Sequence, residues 1–459
     1  MLITHDSGLS TLLGTGALVM AYRSVNRILR HSAVFLASLT LAIPTQAHDL
    51  EIHGSNTVGA TLAPMLVTGY LESRYNSDVT AVGTGTANEQ ILSTRSGGSR
   101  ASILVAAHGS STGFQALAND KADIWASSRP VKSAEVAQFN SVANLNALAS
   151  EHVIAIDGLA ILVHPSNPVN QLSIDSIGKI FSGEIDNWSE LGGGNRPISL
   201  YARDDRSGTW DTFKSLVLRK TYALDESARR YESNDELSDD VSNDPAGIGF
   251  AGLASVRNSK LLAVSEGNAP ALKPNQLTVA SEDYPLARRL FMYTPGDKAP
   301  AMANELIDFA LGAEGQALVA ASGFVSQNPV EVKPEFDRSV PETFKQLTEH
   351  YHRLTVNFRF SEGRTRLDNK ALRDLLRLKQ YLDRNNRSAD DLLLIGFADT
   401  EHHELKAQMV SELRALSVRK ALEDAKVPDV AYTGYGHYMP VGGKGSPRNG
   451  RVEVWIRSR

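Results

Sequence analysis

The chain contains no cysteine among its 459 residues. That excludes disulfide staples, thiolate-ligated zinc, a thiol nucleophile and attachment of a lipid to an N-terminal cysteine. It does not fix a compartment, because exported proteins without disulfides are common. A global basic field is also missing. Lys and Arg total 47 against 52 Asp and Glu, a formal net charge of −5, so nucleic acid is not an expected partner. The apolar run Ala33-Val-Phe-Leu-Ala-Ser-Leu-Thr-Leu-Ala-Ile43 is short for a membrane span, and no other stretch is long and apolar enough to cross a bilayer.

That run fits a different pattern. Arg23, Arg27 and Arg30 precede it and Pro44-Thr-Gln-Ala47 follows it. A basic region, an apolar region and a small-residue cleavage site make a secretory signal. Residues 1–47 are expected to be a signal peptide cut after Ala47. The residues ahead of Met20 make an awkward leader, so Met20 is an alternative start. The mature chain should be soluble and exported, and the full length suits two to four domains.

What the chain does have is one unit used three times: a strand, a hydroxyl-rich turn and a helix. Pro197-Ile-Ser-Leu-Tyr201 reads as a strand, Arg203 and Ser207-Gly-Thr209 as the turn, and 210–218 as an amphipathic helix. Near residue 50 a short strand ends at His53, Gly54-Ser-Asn-Thr57 makes the turn, and a helix follows over 62–70. At 103–107 a strand leads into His108-Gly-Ser-Ser-Thr-Gly113 and a helix from Phe114. A further strand over 122–126 ends in Ser127-Ser-Arg-Pro130. Helix starts carry unpaired N–H groups and a partial positive charge, Gly admits a ligand to the backbone, and Ser and Thr add donors. With Arg203 as a forked, permanent cation, such turns converging on one point suit a tetrahedral oxyanion. Each hydroxyl taken separately reads equally as a helix cap.

A rival reading uses the third turn alone. Gly109-Ser-Ser-Thr-Gly113 fits G-x-S-x-G between a strand and a helix, the setting of a serine-hydrolase nucleophile, here Ser111. It requires an acid and then a histidine downstream. His152 and His164 follow, but neither sits in a recognisable catalytic loop. An adhesion or scaffold protein without a ligand is another alternative.

Further along, the β-rich run 154–165 and the glycine-kinked run 245–250 are expected to carry the chain between two lobes. Residues 284–293 read as a strand and 301–321 as mostly helical. The acidic run 233–240 is expected to be a solvated loop, with Ser233 near the cleft. Residues 326–338 are polar and proline-punctuated, as linkers are, and 341–351 suit a short helix. A second module follows. Residues 354–360, 392–396 and 451–456 read as strands, with helices over 370–382 behind an Asp368 N-cap and along the face Leu405, Met409, Leu413, Leu416.

Residues 49–327 resemble the solute-binding proteins of phosphate ABC transporters. The resemblance rests on Gly54-Ser-Asn-Thr57, Gly109-Ser-Ser-Thr-Gly113, Asp123-Ile-Trp-Ala-Ser-Ser-Arg-Pro130, Ile180-Phe-Ser-Gly183, Asn187-Trp-Ser-Glu-Leu-Gly-Gly193, Arg203 with Ser207-Gly-Thr209, Gly315-Gln316 and Gly323-Phe324, in the family's order. It implies an α/β two-lobed periplasmic-binding-protein type II fold, with lobe one at 49–155 and 250–327 and lobe two at 156–249. It implies inorganic phosphate as ligand, contacted by Thr57, Ser110, Arg203, Ser207, Gly208 and Thr209. It implies no catalysis and no cofactor, and brings in an ABC transporter permease as a candidate partner. At Ser128 the chain departs from the family, which places there an Asp that accepts the proton of hydrogen phosphate. A hydroxyl does not repel fully ionised sulfate as a carboxylate would, so the choice between phosphate and sulfate stays open. Arg129 is expected to add a second cation.

Residues 351–459 resemble the OmpA C-terminal family, a small α+β domain that binds peptidoglycan. The carriers are Gly396-Phe-Ala-Asp-Thr400, Ser411-Glu-Leu-Arg-Ala415, Gly434-Tyr-Gly436 and Asn449-Gly-Arg-Val-Glu453. By the resemblance Asp399 takes the ammonium of diaminopimelate, Arg414 its carboxylate, and Arg451 is the second basic position. A zwitterion needs one group of each sign. The family's Asn eight residues after the Asp is Ala407 here, and its Arg ahead of Arg451 is Gly450. Residues 328–350 are then a linker, and the expected location is the periplasm, at the peptidoglycan or outer membrane. Glu401-His-His-Glu404 lacks H-E-x-x-H spacing, and no metal site is expected.

Overall fold

The computed structural model describes residues 48–336, 340–360, 367–399 and 403–459. The signal peptide, the alternative start at Met20, and Glu401 and His402 lie outside the described residues.

One strand organises the first module. Glu151–Val163 is a thirteen-residue run that is buried along nearly its whole length. Its first half pairs antiparallel with Ala287–Tyr293, from Glu151 to Gly158. Its second half pairs antiparallel with Gly247–Gly252, from Leu159 to Val163. Changing partners at Gly158 makes it part of two sheets, and each sheet belongs to one lobe. The lobe-one sheet continues through Ile124–Ser127, Leu50–Gly54, Ser99–Ala106 and Glu89–Ser96 to Val79–Gly83. The lobe-two sheet continues through Ser199–Arg203 to Arg229–Tyr231, both pairings parallel. The continuous apolar character of 154–163 follows from this double use, since both faces and both edges are covered.

The two-lobed architecture is as expected, but the return crossing comes later than Gly249. Gly247–Gly252 lies wholly within lobe two, where Gly249 packs against Leu237, Val241 and Tyr201. Lys260–Leu261 still pairs with the second half of the shared strand, and Ala263–Ser265 pairs with Gln171–Ser173. The chain re-enters lobe one only with Ala287–Tyr293. The glycines allow close packing of the helix above them and do not mark a crossing. The acidic run also differs from expectation. It forms the helix Asn234–Asn243, capped by Ser233, whose hydroxyl accepts from the Glu236 N–H. Ser-x-x-Glu followed by buried Leu237 and Val241 is a capping pattern.

The C-terminal module packs Asn369–Arg384 and Glu404–Asp424 on a sheet ordered Glu331–Val332, Tyr351–Arg359, Arg451–Arg457, Leu392–Gly396, Ala431–Gly434. Asp368 caps its helix by accepting from the Ala371 N–H at 2.8 Å. The second helix turns a different face inward from the one expected. Leu405, Met409 and Leu413 are exposed, and Ala407, Ser411, Ala415, Val418 and Leu422 are buried. The reason is distance: a Cβ on Gly396 would lie 2.0 Å from the Ser411 carbonyl oxygen. Only small residues fit a helix that close to its sheet.

The described residues of the segment expected to be a linker are built in. Glu331–Val332 is the edge strand of the C-terminal sheet, and Phe344 is buried against Trp455, Phe397 and Tyr435. The modules then dock through charge. Asp283 accepts from Arg353 at 2.7 Å and Arg359 at 2.6 Å, with Arg451 at 4.0 Å. Burial alone would raise its carboxyl; the three guanidinium groups win and hold it far below the usual carboxylate range. Arg289 joins Glu282 and Asp368 at 2.6 Å each. Arg373 donates to the Glu151 carbonyl at 2.9 Å and to the His152 ring at 3.2 Å.

Candidate anion site

The three hydroxyl turns meet where the lobes meet. The Gly109 N–H donates to the Gly54 carbonyl at 2.7 Å, which joins the two turns of lobe one. Thr57 reaches Thr209 of lobe two, with 2.9 Å between hydroxyls. Ser110 accepts from the Ser128 N–H at 3.1 Å. A Cβ on Gly208 would stand 2.2 Å from the Ser128 hydroxyl and 2.4 Å from that of Ser110. Ser110, Ser128 and Thr209 are completely buried, and Thr57 and Ser207 nearly so. Ser207 caps its helix, accepting from Thr209 and Trp210 N–H groups at 3.1 and 3.3 Å, which leaves its own proton free to donate elsewhere. Six of the eight expected ligand positions therefore fall in one place: Thr57, Ser110, Ser128, Ser207, Gly208 and Thr209.

Arg203 stands at the end of its strand and is 1% exposed. Its partners are neutral. Nε donates to the Tyr231 carbonyl at 3.1 Å, and the two terminal nitrogens donate to the Glu232 carbonyl and to Asn234 Oδ1. Among the described residues no carboxylate pairs with it. Burial pushes its pKa down to about 10; Asp204 opposes that and the like charge of Arg288 adds to it. Asn234 carries the link on, its Nδ2 lying 3.5 Å from the Thr57 hydroxyl. A cavity of about 390 Å³ opens beside Thr57 and Asn234 between the lobes, with Glu232, Asp235 and Glu236 on its wall.

Arg129 does not supply the expected second cation. It is held by Glu135 through two bonds of 2.9 and 2.6 Å and by Asp211 at 2.9 Å. Both of its carboxylate partners are engaged, and Asp211 is shared with Lys132 at 3.1 Å. Because Glu135 is in lobe one and Asp211 in lobe two, the guanidinium acts as a bridge between lobes. The hydrolase alternative is not assembled either. The Ser111 hydroxyl meets Arg129 at 3.3 Å, His152 meets Thr294 and Arg373, and His164 meets Ser166.

Two residues of the cleft escaped the sequence reading. Asn234 lay in the misread acidic run. Arg288 pairs with Asp157 at 2.6 Å behind Gly252, both deeply buried, and one of its terminal nitrogens has no partner among the described residues. The signal for the Arg288–Asp157 pair was one carboxylate in the apolar run 154–165 and two adjacent arginines in the apolar run 284–293.

In the C-terminal module Asp399 accepts from the Gly445 N–H at 3.2 Å. Arg414 donates to the Phe397 carbonyl at 2.9 Å; burial lowers its pKa and Asp399 opposes that. A Cβ on Gly450 would fall 2.8 Å from the Arg414 guanidinium, so the missing family arginine leaves Arg414 its place. Arg451 differs from expectation. It is 2% exposed, tied to Glu453 at 2.8 Å and the Met439 carbonyl at 3.0 Å, and stacked 3.9 Å over Phe397. It faces the module interface, 4.0 Å from Asp283.

Fold and cleft define a two-lobed binding protein with an appended α+β module. Residues 44–314 match the PBP superfamily domain, and the chain belongs to that superfamily. Residues 359–451 match the OmpA family. The phosphate-binding protein PstS of Borreliella burgdorferi is 28% identical over 275 residues, 57% of this chain and 95% of its own length. The protein SphX of Synechococcus elongatus is 31% identical over 236 residues, 49% of this chain and 68% of its own length. The crystal structure of an ABC-type phosphate transport receptor from Vibrio cholerae is similar with a TM-score of 0.46 and 23% identity, covering 60% of this chain and 99% of the other.

Proposed function

We propose that the first module binds inorganic phosphate, or a related tetrahedral oxyanion, between its lobes in the periplasm, without catalysis. We further propose that the C-terminal module fastens it to peptidoglycan, with Asp399 taking the ammonium of diaminopimelate and Arg414 its carboxylate. The observation that carries the first part is Arg203: a desolvated cation whose acceptors among the described residues are neutral, linked through Asn234 to Thr57 and the buried hydroxyls gathered around it. A buried charge is stable when paired, and an anion among those hydroxyls supplies the pair. The phosphate-binding protein PstS among the relatives points the same way, and delivery to an ABC transporter permease follows from such a role. Ser128 leaves that position without a carboxylate to select a protonated anion, so sulfate is the informative competitor. A thermal-shift panel of phosphate, sulfate and other oxyanions tests the reading. Phosphate should raise the melting temperature, and a panel with no effect would refute it. For the wall, the full chain should sediment with purified sacculi and the Asp399→Ala, Arg414→Ala double variant should not. Equal sedimentation of both would refute the tether.

A further inference from the structure

The C-terminal module touches both lobes, but unequally. The Arg289–Asp368 bridge and the bonds from Arg373 to Glu151 and His152 fasten it to lobe one, and Asp283, just ahead of Ala287–Tyr293, holds Arg353 and Arg359. On lobe two the charged contact is Glu266, directly after Ala263–Ser265. One Glu266 oxygen accepts from the Gly443 N–H at 3.3 Å and from the Arg448 guanidinium. The other faces Arg219 at 3.5 Å. Arg219 ends the helical segment 208–218, whose first residues are the lobe-two half of the anion site. The loop that reaches across is stiff. Asn449, 1% exposed, accepts from the Val441 and Gly442 N–H groups at 3.0 Å each and donates back to Gly443.

Two lobes joined by a shared strand open by rotating about it. Glu266 then travels with lobe two, while Arg448 and Gly443 stay with the module on lobe one. Opening must break both contacts; the bridges to lobe one survive it. An interaction present only in the closed arrangement strengthens any ligand that needs closure.

We propose that the C-terminal module is a latch on the cleft, with Glu266 of lobe two as the catch and Arg448 and Gly443 as the hook. Module docking and anion binding then favour the same closed arrangement and stabilise each other. This rests on reading the cleft as an oxyanion site.

The test is calorimetric titration of the full chain with inorganic phosphate. Glu266→Gln and Arg448→Gln should each weaken binding about three- to tenfold, as loss of a partly buried charged contact does, and the double variant should be no weaker than the worse single one. Asp368→Asn, which cuts a bridge to lobe one and keeps the helix cap, should stay within about twofold of wild type. Unchanged affinity in Glu266→Gln and Arg448→Gln, or an equal loss in Asp368→Asn, would overturn the latch. Placing the two latch variants in different modules separates a folding defect from the effect sought. A wild-type chain that takes up no phosphate would remove the underlying reading as well, and is distinguishable because no variant then has an affinity to compare.

Discussion

Replacing Arg203 with glutamine removes the charge and keeps a planar amide that can still donate within the Tyr231, Glu232 and Asn234 acceptor set. Two effects on the free protein oppose each other. The depression of the Arg203 pKa from 12.5 to about 10 corresponds to roughly 3 kcal/mol held against the charged form, which the substitution relieves. Loss of hydrogen bonds to buried carbonyls costs about 1–3 kcal/mol for each acceptor left unpaired. The unliganded variant should therefore stay within about 2 kcal/mol of wild type. The bound state has no such compensation. Truncating one member of a buried charge pair costs about 2–5 kcal/mol, so phosphate affinity should fall by about two to three orders of magnitude. In a thermal melt, phosphate at about a thousand times its dissociation constant stabilises wild type by roughly 4 kcal/mol; the variant should show almost none of that rise. Calorimetry gives the affinities directly. An Arg203→Gln variant that binds phosphate within fivefold of wild type would refute the reasoning, because the cation would then be structural.

Other outcomes follow from the same geometry. Gly208→Ala places a methyl on the hydroxyls of Ser110 and Ser128, so phosphate affinity should fall at least about tenfold while the unliganded melt changes little; equal affinity by calorimetry would show that the lobes need not come this close. Ser128→Asp adds a carboxylate beside Ser110, and sulfate should lose its ability to compete while phosphate, which can bring a proton, retains binding; undiminished sulfate competition would contradict this. Burial, with Arg373 adding to it, pulls the His152 pKa from 6.5 to about 3. The unfolded chain therefore binds the proton first, and stability falls as pH falls between 6.5 and 3, by at most about 1.4 kcal/mol per pH unit. Urea unfolding at pH 7 and pH 5 should show a loss about 2 kcal/mol smaller in His152→Gln; identical losses would exclude His152 as the cause.

Much of the cleft was legible because its chemistry is local. A hydroxyl-rich turn between a strand and a helix is a short-range pattern, and Ser207-Gly-Thr209 behind Arg203 carries it within seven positions. What stayed hidden depends on pairings far apart in the chain. Nothing near Arg129 announces Asp211, eighty-two positions on, so a residue of the expected type was read as a free cation. The helix Glu404–Asp424 misled for another reason. Its regular leucine spacing marks the solvent face, and its packing face is built of Ala and Ser because the sheet backbone comes within contact distance at Gly396. Hydrophobicity reports burial only when there is room for a large side chain. The union of the modules was invisible too, since 326–338 has the composition of a linker and the strand Glu331–Val332 within it forms only by pairing with residues downstream.

The strand Glu151–Val163 limits how this protein can be taken apart. Its first half is the terminal strand of one sheet and its second half lies inside the other. In the chain, lobe one lies on both sides of lobe two and meets it along this one strand, so a cut at Gly158 parts residues that lobe one needs together, and lobe one is not a continuous unit that could be expressed, swapped or evolved alone. Recombination that respects the structure must move both lobes together, with breakpoints in exposed turns such as that around Gly97 and Gly98 rather than at the waist.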